Sequence, residues 1–275
     1  VTMAWDGFRT QVVLQWGAVA CDVAAAALFT SAALFARPAR ARWARWCAAL
    51  GLAPHGVAIA LRWLEVGHGP YMMKYEVLTS ISFTAVALLL VFLWRRPDWS
   101  ALAVVVMPVA ILLLGLGLFA HPAARDLPPT LRSAWLVFHV IFAKLSAGAF
   151  ILSLATAICL LRQERRPSPR IPPADALDAY TVRFVGFGFV FWSVTIAAGA
   201  IWANQSWGRY WGWDPIETWS LVSWLVYAAY LHARLFFRMA RAAAAWLAIA
   251  CFALFILTFL VLTFVVPSLH SAYLQ

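Results

Sequence analysis

Residues 100–120 read SALAVVVMPVAILLLGLGLFA, a run with no charged side chain. About 20 consecutive apolar residues in a helix cross the ~30 Å hydrocarbon core of a bilayer. A surface helix of a soluble domain would show a polar face over that length. The stretch therefore reads as a transmembrane span. Outward from it, similar runs lie near 12–36, 46–66, 76–94, 133–161, 180–202, 219–237 and 242–266.

Composition agrees. The 275-residue chain is 64% apolar and 12% charged, where a soluble domain is roughly half apolar and one quarter charged. Its mean hydropathy is +0.82. Too little polar surface exists to cover a water-soluble globule. The 14 glycines and 14 prolines are close to average usage and argue against a disordered or fibrous chain. Long apolar runs, instead of short alternating segments, exclude a transmembrane barrel. The expectation is an all-α polytopic membrane protein with about eight transmembrane helices, forming a single helical bundle over residues 1–275. The first run is too long for a signal peptide, and its basic cluster follows it instead of preceding it.

The formal net charge of +10 has to be read against that membrane. One alternate set of connections holds Arg37, Arg40, Arg42, Arg45, Arg95, Arg96, Arg162, Arg165, Arg166, Arg170, Arg234, Arg238 and Arg241. The opposite set, with both ends of the chain, holds only Arg9, Lys74, Arg125, Arg132 and Arg209. By the positive-inside rule the first set faces the cytoplasm, which puts both termini and the connection around 203–218 outside. The charge thus points to lipid head groups, and no nucleic-acid partner is expected. Arg62, Glu65, Lys144 and Arg183 lie in or near spans, where snorkelling to the interface is the simplest reading. Cys21, Cys47, Cys159 and Cys251 show no metal-type spacing and read as small buried hydrophobes. The inner connection 162–179, with Pro167, Pro169, Pro172 and Pro173, reads as a linker.

Six of the 16 tryptophans fall within 202–224, and the core string there is WGRYWGWDP, 207–215. An interfacial belt would spread its aromatics over many helix ends. Here they sit in one outer connection, the tryptophan-rich segment at about 202–219, beside Gly208 and Gly212. Glycine lets backbone come close to a flat object, and indoles offer rigid faces for stacking. A binding platform made by Trp207, Gly208, Trp211, Gly212, Trp213 and Asp214 is favoured over a belt. Asp214, Pro215 and Glu217 also have the spacing of a capping box that starts the seventh span, and capping is the more probable role of the two acids.

Of the six histidines, His68 and His121 read as ordinary polar residues of outer loops. His139 lies about two turns into the fifth span, a depth at which a polar ring needs a partner. His270 follows the eighth span on the same outer side. Two imidazoles and an aromatic platform on one surface match what haem needs, namely axial nitrogens and contacts for the porphyrin. Zinc would want three or four ligands and gains nothing from tryptophan. His232 sits ~20 Å below the outer end of the seventh span. It either forms a second site, with His55 or with a residue of another subunit, or is a structural histidine. Asp22 and His55 lie at similar depth and read as a buried hydrogen-bonded pair.

The string WGRYWGWDPIETWSLVSWLVYAAYLHAR, 207–234, resembles the tryptophan-rich (WWD) domain of the cytochrome c assembly family, in its system II (CcsA or ResC) type more than its CcmC type. LRSAWLVFH at 131–139, Gly69-Pro70 followed by Glu76, and Leu269-His270-Ser271 extend the resemblance. The tail departs from the family's Leu-His-Ser-Tyr, since Ala272 stands before Tyr273. The resemblance implies one half of a holocytochrome c synthase, or haem lyase, of the bacterial plasma (inner) membrane, active with a CcsB or ResB type partner. It implies haem b, carried across the bilayer and presented outside to the Cys-x-x-Cys-His thiols of apocytochrome c. His139 and His270 then correspond to the outer iron ligands, Trp207–Asp214 to the platform, and His232 to the membrane-embedded ligand completed by the partner. The alternatives are a haem exporter or chaperone without synthase activity, and a non-haem transporter.

Overall fold

The computed structural model describes residues 7–120, 127–237, 239–262 and 265–269. Among them are eight long helices and no strand: α1 (Gly7–Phe35), α2 (Pro38–Val66), α3 (Lys74–Arg95), α4 (Ala103–Phe119), α5 (Ala134–Arg165), α6 (Ala174–Trp207), α7 (Pro215–Phe236) and α8 (Arg241–Ile256). Short 3-10 turns, Pro97–Leu102 and Pro129–Leu131, lead into α4 and α5. A π-helical turn, Leu257–Leu262, prolongs α8. Every apolar run read from the sequence is a helix, and seven are long and apolar enough to cross a membrane. The exception is α7. It has 22 residues, but Glu217, Ser220, Ser223, His232 and Arg234 dilute its apolar character.

Contacts divide the chain into two compact units, Val1–Leu127 and Pro128–Gln275. The first is built on a tight α1–α2 hairpin. Ala18 and Ala25 on α1, and Ala44, Ala48 and Ala58 on α2, are fully buried. Small side chains let helix backbones approach closely where no hydrophobic effect drives them together. Leu89, Leu90 and Leu93 of α3 and Val106, Met107 and Leu114 of α4 fill the other side, and Ser82 Oγ donates to the Ala110 carbonyl (2.8 Å).

Three expectations for this unit are corrected. Asp22 and His55 do not form a hydrogen-bonded pair. The His55 ring bonds the Thr79 carbonyl through Nε2 (3.0 Å) and meets the Phe83 ring edge-on, while Asp22 Oδ1 is buried without a hydrogen bond. Arg62 does not snorkel either. It is 3% exposed, and its Nε donates to Glu76 Oε1 (3.0 Å). Glu76 Oε2 in turn accepts from the backbone of Met72 and Met73. A buried guanidinium needs that carboxylate, because α3 packs over the end of α2 and closes its route to water. His68 is also buried, with Nδ1 on the Gly69 carbonyl (2.8 Å), and is no solvent-facing interfacial ring.

In the second unit α5 is the most enclosed helix, packed against both α6 and α8. Phe150 stacks on Tyr227 (3.8 Å between centroids, planes 3° apart) and meets Phe255 edge-on. Indole hydrogen bonds pin α7 to α6: Trp192 Nε1 to Ser223 Oγ (3.2 Å) and Trp224 Nε1 to Ser193 Oγ (2.8 Å). At the arginine-rich end Arg234 of α7 pairs with Asp178 of α6 (2.5 Å), and Arg241 with Glu164 and Asp175. All four cysteines are free thiols, two buried and two half-buried.

Candidate functional site

The candidate site lies in the second unit, at the end where α5 begins, α6 stops and α7 starts. His139 is half-buried on the second turn of α5. Its Nδ1 lies 2.8 Å from the carbonyl oxygen of Thr195 on α6. A carbonyl only accepts, so in the neutral ring Nδ1 carries the proton and the lone pair sits on Nε2, the nitrogen suited to bind a metal. Gly199, one turn further along α6, makes room for the ring. A Cβ there would stand 2.6 Å from His139 Nδ1.

The tryptophans continue from that ring. Trp202 is tilted beside His139 (6.3 Å between centroids) and edge-on to Trp207 (4.8 Å). Its Nε1 donates to the Thr130 carbonyl (2.8 Å), which also accepts from Ser206 Oγ (2.9 Å). Ser133 Oγ donates to Gln205 Oε1 (2.7 Å). The segment entering α5 and the last turns of α6 are thus stitched together around His139.

α6 ends at Gly208, whose left-handed backbone (φ +72°) forms the helix C-cap. Gly212 lies under the Arg209 guanidinium, only 1.9 Å from where its Cβ would stand. Its missing side chain is thus filled by this chain's own arginine, and Arg209 Nη1 donates to the Gly212 carbonyl (3.3 Å). Trp211 and Trp213 meet edge-on at 5.9 Å. Trp213 is 70% exposed and Tyr210 60%. Trp213 also has φ +58°, a left-handed conformation costing a bulky residue about 1 kcal/mol or more. Strain that holds an indole out into the surroundings is the kind met at binding sites.

Asp214 and Glu217 cap α7 as their spacing suggests. Asp214 Oδ2 accepts from Ile216 N (3.2 Å), and Glu217 Oε2 accepts from Gly212 N (2.7 Å) and Asp214 N (3.2 Å). Asp214 Oδ1 has a further partner that the sequence did not announce, the backbone N–H of Leu269 (3.0 Å). Leu269 precedes His270, and His270 itself lies outside the described residues, as do His121, Arg125 and Arg238. His232 is well away from this end, exposed on the last turns of α7, with its ring on Phe236 (4.7 Å) and Phe237 (5.8 Å). The structure therefore brings His139, Trp202, Trp207 and the 208–214 segment into one region and leaves His232 apart. Thr130, Thr195, Gly199, Arg209 and Leu269 escaped sequence reasoning. Three of them act through backbone atoms, which no side-chain pattern reveals.

Residues 71–270 match the family described as cytochrome C assembly protein. Relatives include the cytochrome c biogenesis protein CcsA of Parasynechococcus marenigrum, 35% identical over 212 residues (64% of this chain, 68% of that one). The CcsA of Guillardia theta is 32% identical over 244 residues (78% and 80%). Among solved structures the chain is similar to one titled cytochrome c heme lyase CcmF, with a TM-score of 0.73 and 17% identity. That match takes in 94% of this chain but 48% of the other, so the chain spans about half of that structure's length. At this identity the likeness is one of fold.

Proposed function

Because the chain belongs to the cytochrome C assembly protein family, in its CcsA type, we propose that it is the haem-presenting half of a system II holocytochrome c synthase. It is a multi-pass membrane protein acting in cytochrome c biogenesis. In this reading it lies in the bacterial plasma membrane with its tryptophan end outside, its arginine-rich end in the cytoplasm and both termini outside. Haem b is the substrate.

His139 and His270 hold the iron at the outer site, and the segment from Trp207 to Asp214, with Gly208, Trp211, Gly212 and Trp213, carries the porphyrin. The observation that carries the reading is His139 itself. A half-buried imidazole beside Trp202 is fixed by a backbone carbonyl in the tautomer that aims Nε2 as ligand. His232 completes an iron site with a histidine of a CcsB or ResB type partner, a reading supported by its exposure on α7. His55 suits that role poorly, because it is 1% exposed and its ring is packed edge-on against Phe83.

Acid–base groups contribute little to this chemistry. The thiols of Cys-x-x-Cys-His in apocytochrome c add across the haem vinyl groups, and this chain supplies position: ligation at the iron and a fixed aromatic edge. The test is holocytochrome c formation with this chain, its partner and an apocytochrome as the only assembly components. His139→Ala and His270→Ala are each expected to lose outer haem and holocytochrome together, with recovery on adding imidazole. Normal maturation in either variant without imidazole overturns the assignment. Haem transfer without thioether formation would instead favour an exporter or chaperone.

A further inference from the structure

Asp214 does more than its position at a helix start requires. An N-cap needs one acceptor oxygen, and serine, threonine or asparagine provides it as well as aspartate. Here Oδ2 performs the cap on Ile216 N, and Glu217 satisfies two further N–H groups of the same turn. Oδ1 has in addition a partner outside that turn. It accepts the backbone N–H of Leu269, 55 residues away in sequence. Among side chains of this length only a carboxylate accepts at both ends at once. Asp214 is 8% exposed, so its carboxylate is largely withdrawn from water.

A second feature fits the same arrangement. Asp214 is held by the α7 cap on one side and by the tail on the other. Trp213, the residue before it, takes the left-handed backbone conformation that leaves its indole exposed. The tail is also tied higher up, where Thr258 Oγ1 lies 3.4 Å from the Trp219 carbonyl of α7.

We propose that Asp214 is a positioning residue whose second carboxylate oxygen clasps the C-terminal tail to the tryptophan segment at Leu269, and that His270, the next residue in the chain, needs this clasp to serve as an iron ligand. Delivery of a ligand rests on the reading of His270 given above; the clasp itself does not.

The test separates the two. Asp214→Asn keeps size and cap but turns one acceptor into an NH2 group, which cannot accept from Leu269. Leu269→Pro removes the donor and leaves Asp214 intact. Hydrogen exchange of the full-length protein in nanodiscs, without haem, is expected to show the Leu269 amide exchanging about fivefold faster in Asp214→Asn, the effect of losing one hydrogen bond. The α7 first-turn amides should stay unchanged in both variants. With the partner and haem present, both variants should show the absorption spectrum of His270→Ala and revert toward wild type on adding imidazole, which a general loss of stability would not do. Unchanged exchange at Leu269 overturns the clasp. Faster exchange with an unaltered haem spectrum overturns its role in delivering the ligand. Failure of the wild-type complex to bind haem would overturn the functional reading and leave the exchange result standing.

Discussion

Gly199 and His139 are fitted to each other within the space of one methyl group. Gly199→Ala would drive a Cβ against a ring held by the Thr195 carbonyl. Such overpacking costs about 1–3 kcal/mol. The variant should still fold, lose the His139-dependent part of the haem spectrum and regain it with imidazole; thermal unfolding and absorption measured together check this. Trp213 offers the opposite case. Trp213→Gly relieves a left-handed strain of about 1 kcal/mol and removes an exposed indole that buries little. Its melting temperature should not fall while haem occupancy does, and a lower melting temperature would show that the ring is structural. At this scale the sequence was partly legible. His139 stood out because a polar ring inside an apolar run needs a reason. Its partners did not stand out, because a carbonyl 56 residues away and the absence of a Cβ leave no mark in a single sequence.

Two helices begin in the same way. Glu76 reaches back to the Met72 and Met73 N–H groups, as Glu217 does to Gly212 and Asp214. The second was readable, because Asp-Pro-x-Glu spells out a cap. The first was not, since methionine is no capping residue and the burial of Arg62 beneath α3 is a tertiary fact. The two starts should also differ in energy. Glu217→Ala removes a cap contact, worth about 1 kcal/mol. Glu76→Ala takes away the buried carboxylate on Arg62 Nε and leaves the guanidinium the part-exposed Glu65 at 3.7 Å, a loss of about 3 kcal/mol. Thermal denaturation in detergent should rank them in that order, and Glu76→Leu combined with Arg62→Met should recover much of the larger loss. Helix positions themselves were read well from apolar runs. The shortfall was α7, whose serines, Glu217, His232 and Arg234 interrupt its apolar run, so that it is not among the seven helices long and apolar enough to cross a membrane.

For the whole chain, orientation is the property with the plainest electrostatic cause. With thirteen arginines on one set of connections against five basic residues on the other, the positive-inside rule predicts that the arginine-rich face stays in the cytoplasm. In a variant without the native thiols, Pro169→Cys and Tyr210→Cys should react with a membrane-impermeant maleimide from opposite sides, Tyr210→Cys from outside intact cells. Labelling of both from one side would refute the assignment of faces. The sequence conveyed class and span positions, both carried by composition and local order. The clasp between 214 and 269 belongs to the folded chain and was invisible until the helices were assembled. One dimension of that assembly has a wider consequence. At 1.5 Å per residue, α5 and α6, with 32 and 34 residues, measure about 48 and 51 Å, well beyond the ~30 Å of oily interior available to them. Roughly 20 Å of this mast must stand clear of the lipid or be taken up by leaning. In the orientation proposed above, longer acyl chains are expected to submerge more of the indole-bearing end and so to slow the docking of a water-borne client there.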